Sequence, residues 1–316
     1  MMEGEGERVI VAAVVPGSRH GDGFIYSSEA SLLGRLYHLD DTREFHQPTI
    51  PFARIARLKP MRFTDPTPDC LPCFTACTTH LGCDMLQIFS LKLTKLPAAA
   101  AAAAAAGPIQ LYGFMAVRDL LDPLRNYVFN HSRDEPYIIR DLHSDPFIYL
   151  SGPKRGIYLE CRVLIEFHMM IKMREREEDD LPLIDGGDRG AAVDISRALL
   201  SVAVEATVDV WITKLGEPLA NGDGGLDLSI IGSLPQMKHH IKVFRGIIDK
   251  PRAVGRFVVA VNRNSYLFLR VVANGRGPPK QFDWFAFRAT GHGCIDDRRE
   301  LDFATVEVKV TWSSLY

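Results

Sequence analysis

No apolar run in this chain is long enough to cross a bilayer as a helix. The best candidate, residues 96–106, is short and mostly alanine. There is no surplus of one charge either: 37 Lys and Arg stand against 39 Asp and Glu, net −2, which leaves no global basic field for nucleic acid or an anionic membrane. Cysteine is scarce, six in 316 residues, too thin for a disulfide scaffold. A reduced, intracellular setting in the cytoplasm is therefore expected. The first eight residues hold three Glu and one Arg where a secretory signal would be basic, and the apolar stretch 9–15 runs into Pro16-Gly17, so no signal peptide is read. A Gly-x-Ser-x-Gly elbow, a phosphate loop of the usual form and any internal repeat are missing. So is a long amphipathic helix beyond residue 40.

What the chain does have is alternation. From 157 to 173 every odd residue is apolar: Ile157, Leu159, Cys161, Val163, Ile165, Phe167, Met169, Ile171 and Met173. Between them stand Glu160, Arg162, Glu166, His168 and Lys172. Successive strand side chains point to opposite faces, so this stretch is one long half-buried strand, or two broken near Cys161, with the charged row outward. Residues 199–212 repeat the signature, with Glu205, Thr207, Asp209 and Trp211 outward, and so do residues 304–312. Shorter strands are expected at 109–117, 126–130, 136–140, 147–150, 226–231, 240–248, 256–261, 266–272 and 282–289. At 85–93 the alternation slips near Ile88 and Phe89, which a bulge would explain.

About ten to twelve strands with one polar face mean an all-β protein, an antiparallel β-sandwich, with an open barrel as the runner-up. Residues 1–82 carry Pro and Gly without sustained period and are expected as an irregular, partly disordered arm, holding at most a strand at 9–15 and a helix at 28–39. Residues 83–316 form the sandwich domain, with the alanine run 98–106 as a loop insertion between two strands.

Three clusters could carry chemistry. Cys70, Cys73, Cys77, His80 and Cys83 fall within one short stretch and offer the thiolate and imidazole ligands zinc prefers, for a structural site stabilising the arm. Beyond that possible zinc, no cofactor is expected. Arg118, Asp119, Asp122, Arg125 and Asn126 make a charged corner, read either as a ligand site on a loop or as a turn locked by its own carboxylates, with Asp122 capping the bend. The run 174–180, Arg-Glu-Arg-Glu-Glu-Asp-Asp, reads as a solvated loop.

Several segments together resemble a plant family, the domain-of-unknown-function 6598 proteins found chiefly in grasses. They are Leu86-Gln-Ile-Phe-Ser-Leu-Lys-Leu93, Gly107-Pro-Ile-Gln-Leu-Tyr-Gly113 and Ala116-Val-Arg-Asp-Leu-Leu-Asp-Pro-Leu-Arg-Asn-Tyr-Val-Phe-Asn130, then Gly152-Pro-Lys-Arg-Gly156, Glu175-Arg-Glu-Glu-Asp-Asp-Leu181 and Val308-Lys-Val-Thr-Trp-Ser313. The resemblance spans about residues 83–315; the alanine run departs from it. It implies a domain and no mechanism, since the family has no assigned catalytic residues to carry over. Some members resemble proteins that also carry a ribosome-inactivating N-glycosidase domain. Glu205-Ala206 has a faint likeness to the start of that active-site helix, but Val208 and Asp209 stand where an Arg is needed, and the segment reads as strand.

The expectation is thus a non-enzymatic interaction module with a protein partner and no nucleic-acid or membrane contact. The alternatives are a diverged defence protein associated with N-glycosidases, and a binding domain with a zinc-stabilised arm.

Overall fold

Alternation in the sequence becomes antiparallel sheet in the structure. This is a computed structural model, and it describes residues 23–27, 59–70, 77, 79–104, 107–160, 162–183, 192–216, 225–235, 237–273 and 281–315. The expected strand at 9–15 and helix at 28–39 lie outside the described residues, as do Cys73 and Cys161.

In chain order the strands begin with β1 (Gly23–Ser27), β2 (Cys83–Lys95), β3 (Ile109–Arg118), β4 (Asn126–His131), β5 (Tyr137–Ile139) and β6 (Phe147–Ile148). Next come β7 (Ile157–Tyr158), β8 (Arg162–Ile171), β9 (Leu181–Pro182), β10 (Ala192–Leu215), β11 (Leu226–Ser233) and β12 (Ile241–Ile248). The last are β13 (Arg252–Asn262), β14 (Tyr266–Ala273), β15 (Gln281–Arg288), β16 (Cys294–Leu301) and β17 (Ala304–Ser313). The fold is the all-β sandwich expected, and no sheet closes into a barrel among the described residues. No described helix is long and apolar enough to cross a membrane.

The chain divides into two compact units. The first takes Met1–Met61, Ile88–Gly152 and Leu159–Ala198; the second takes Arg62–Gln87, Pro153–Tyr158 and Leu199–Tyr316.

In the first unit the sheet order is β1-β8-β3-β4, with β5 also on β3 and β9 on β8. The predicted inward row Val163, Ile165, Phe167, Met169 and Ile171 is buried. Register sets Ile165 beside Val117, Phe167 beside Met115 and Ile171 beside Leu111, so one apolar stripe crosses both strands. The long stretch does divide, after Tyr158. Gly113, at φ +96°, lets His168 come close: a Cβ there would stand 2.0 Å from the His168 carbonyl oxygen. In β2 the slip in alternation has a simple cause. Ile88, Phe89, Ser90 and Leu91 are consecutively buried, so this strand is covered on both faces.

The alanine run, expected as a loop, forms α1 (Ala98–Ala104) instead. Alanine loses least on entering a helix, and the Pro97 carbonyl accepts the Ala101 N–H at 2.8 Å, closing the first turn. Only Ala100 of the helix is buried.

In the second unit β10 runs between β17 and β13, with β16 outside β17. Val208, Val210 and Ile212 pair with Val310, Val308 and Val306, so both inward rows share a face. A separate four-stranded sheet has the order β12-β11-β14-β15, and its buried row is Leu267, Leu269, Val271, Phe285 and Phe287. The row of β10 expected in solvent is covered. Residues 63–67 lie along it: Thr64 donates to Glu205 (2.8 Å), Phe63 takes the Arg256 guanidinium at 5.1 Å, and the Thr67 hydroxyl accepts the Ser314 N–H (2.9 Å). Glu205, Thr207 and Asp209 are buried as a result, with exposures of 0%, 9% and 8%.

Candidate functional site

The charged corner in the first unit is an internal lock. Arg118, Asp119 and Asn126 are each 1% exposed. The turn is capped by Asp119, not by Asp122: its Oδ1 accepts the N–H groups of Leu121 (3.2 Å) and Asp122 (3.1 Å). The arginines do not pair with the corner carboxylates. Arg118 and Arg125 both reach Glu166 at 3.0 Å, and Arg125 also lies over the Phe114 ring at 4.6 Å. Glu166, placed outward by alternation, is 1% exposed because two guanidinium groups cover it.

A second carboxylate in this unit escaped the sequence reading. Asp180 closes a charge run that is otherwise solvated, yet is itself buried. It accepts from Arg133 Nε (2.7 Å), the Tyr112 hydroxyl (2.9 Å) and the Met173 N–H (2.9 Å). Burial alone would raise its pKa; the Arg133 guanidinium and the two other donors outweigh burial and hold it below the usual range. Burial and the adjacent Asp180 push the Tyr112 hydroxyl up to about 12.

In the second unit the buried carboxylate is Glu205. It accepts from Gly156 N–H (2.6 Å), Thr64 (2.8 Å) and Thr207 (3.2 Å). Its pKa is raised, because loss of water costs the charged form more than these three donors return.

Of the five candidate metal ligands, Cys70, Cys77 and His80 come together. Cys83 begins β2 and is buried away from them, and Cys73 lies outside the described residues. The fourth member of the cluster is His292, from the turn between β15 and β16. Nothing in the local sequence announces it, since only strand topology brings it there. The Cys70 thiol is raised by burial and by its hydrogen bond to Cys77. Burial works the same way on Cys77, but hydrogen bonds from the His80 backbone and from Cys70 bring its thiol below the ordinary value.

The most conspicuous surface is the outer face of the sheet β12-β11-β14-β15. Cross-strand register places Lys242, Ile231, Arg270 and Trp284 in one row, and Arg245, Ser229, Val272 and Phe282 in the next. Phe282, Trp284 and Tyr266 keep 53%, 41% and 43% of their surface in solvent. The Arg270 guanidinium lies over both rings of β15, 4.6 Å from Phe282 and 5.6 Å from Trp284, and Tyr266 stacks on Phe268 at 6.0 Å. Four cations, Lys242, Arg245, Arg270 and Arg288, share this face with one carboxylate, Asp227.

Residues 85–187 match Domain of unknown function (DUF6598). The match falls largely within the first unit and stops short of the resembling segment at 308–313. No curated protein matches the chain. Among solved structures, one of the paired C2 domains of Extended-Synaptotagmin 2 is similar over 80% of this chain and 99% of its own, at 8% identity and a TM-score of 0.23. At that score the likeness carries no argument. The aromatic face lies in the second unit, beyond the residues the DUF6598 match covers.

Proposed function

We propose that the chain is a non-catalytic interaction module whose contact surface is the outer face of β12-β11-β14-β15, and that it takes an acidic protein segment. The observation that carries this reading is the exposed aromatic set on β14 and β15 with Arg270 laid across it. Trp, Tyr and Arg are the residues that dominate binding energy at interfaces, because each covers much area with few rotatable bonds. Holding three large rings in water costs a monomer solubility, and a partner removes that cost. The excess of cations over Asp227 selects a negatively charged partner and steers its approach. The buried carboxylates Glu166, Asp180 and Glu205 are all engaged within the chain, which favours binding over catalysis.

The test is a titration of acidic peptides that carry a central apolar residue, followed by Trp fluorescence. Binding is expected to weaken with salt. The double variant Phe282→Ala/Trp284→Ala should lose at least about 2 kcal/mol of affinity. Its stability should stay within about 0.5 kcal/mol of the parent, since both rings are exposed. Equal binding by that variant, or by Arg270→Ala, would sink the reading. Retention of single-stranded DNA in place of acidic peptide would replace the protein partner with nucleic acid.

A further inference from the structure

We propose that Cys70, Cys77, His80 and His292 form a structural zinc site that ties the segment before β2 to the turn between β15 and β16. The aromatic face plays no part in this inference.

The donor set comes first. The four ligand atoms lie within 4.8 Å of one another. His80 Nδ1 stands 3.4 Å from Cys70 Sγ and 3.3 Å from Cys77 Sγ. A tetrahedral zinc with ordinary Zn–S and Zn–N bonds has S···N edges of about 3.5 Å, so two edges are already in place. The His80 and His292 rings meet edge to face at 4.8 Å, at an interplanar angle of 61°. Two thiolates and two imidazoles in a tetrahedron select zinc over the hard cations. Four protein ligands leave no open position, so the site is structural.

Two features outside the donor set point the same way. Asp69 Oδ1 meets His292 Nδ1 at 3.0 Å, from a residue 223 positions away in sequence. A carboxylate on one ring nitrogen fixes the tautomer and turns the other nitrogen to the metal. The turn that delivers His292 is also shaped for close approach. A Cβ on Gly291 would stand 2.7 Å from the His80 carbonyl oxygen and 2.9 Å from its Cβ, and Gly293 has φ +89°. The main chain around Cys77 is held independently by Arg263, which donates to its carbonyl at 2.6 Å.

The cluster differs from the five-residue set visible in sequence. It leaves out Cys83, and it takes its fourth ligand from far along the chain.

The experiment is metal analysis of the purified full-length chain, with cobalt(II) replacement as a spectroscopic check. About one zinc per chain is expected, together with a cobalt spectrum showing tetrahedral d–d bands and thiolate charge transfer. His292→Ala should lose the metal and Cys73→Ser should keep it. Asp69→Asn, on an exposed side chain that leaves folding intact, should weaken zinc affinity 10–100-fold. Four results would overturn the proposal: zinc well below one per chain, retention by His292→Ala, loss in Cys73→Ser, or thiols that reductant releases and chelator does not. The last would mean a Cys70–Cys77 disulfide.

Discussion

At the scale of single residues the chain is defined by carboxylates that have left water. Glu166 is held by Arg118 and Arg125 in the first unit, and removing it would strand two cations in a dry place. Glu166→Ala is therefore expected to cost about 3–5 kcal/mol, read as a shift in denaturant midpoint at constant slope. A loss under about 1 kcal/mol would mean the arginines find other partners. Glu205 and Asp180 make opposite forecasts for pH. The Glu205 pKa is raised above 4.5, so its contribution is fully present below that value and lost as pH rises through the higher folded value. The Asp180 pKa is lowered below 3.8, so its contribution is present above that value and lost on acidification. Melting curves of the parent, Glu205→Gln and Asp180→Asn across pH should show the two contributions fading in opposite directions. Neither Glu166 nor Glu205 was legible as buried. Alternation separates two faces of a strand, but it does not say whether the polar face meets water, a pair of arginines or a covering segment.

At the scale of elements, β10 carries a local cost. Val202 has φ +51°, a β-branched residue in the left-handed region, and it is 55% exposed. Gly82 lies beside it; a Cβ there would stand 2.6 Å from the Val202 backbone. Val202→Gly relieves strain of about 1–2 kcal/mol, against about 0.5–1 kcal/mol for a glycine in a strand. The variant should melt higher than the parent; a lower melting temperature would show that the backbone there is unstrained. Strands with one wet face were easy to read, as β8, β10 and β17 show. β16 was missed because it is an edge strand exposed on both sides, with Arg298 and Arg299 pairing with Glu300, Glu307 and Asp297. Such a strand has no apolar row to betray it. The aromatic face was hidden for the opposite reason. Both faces of β14 are apolar, so the pattern around Tyr266 and Phe268 carries no sign of which side is theirs.

At the scale of the whole molecule, the two units differ in how the chain is dealt between them. Apart from its contribution from Met1–Met61, the first unit uses one span, 88–198, interrupted only by the six residues Pro153–Tyr158. The second needs Arg62–Gln87 and Leu199–Tyr316 together. A ribosome makes chain from one end at about 5–20 residues per second, and units fold as their residues emerge. Everything the first unit requires is therefore out by residue 198, while Arg62–Gln87, with Cys70, Cys77 and His80, waits for a partner still unmade. For the seconds in which the last third of the protein is being translated, those thiols stand open in a half-born chain. The order of birth, and not only the finished fold, sets when they are vulnerable to oxidation and when their fourth companion, His292, arrives.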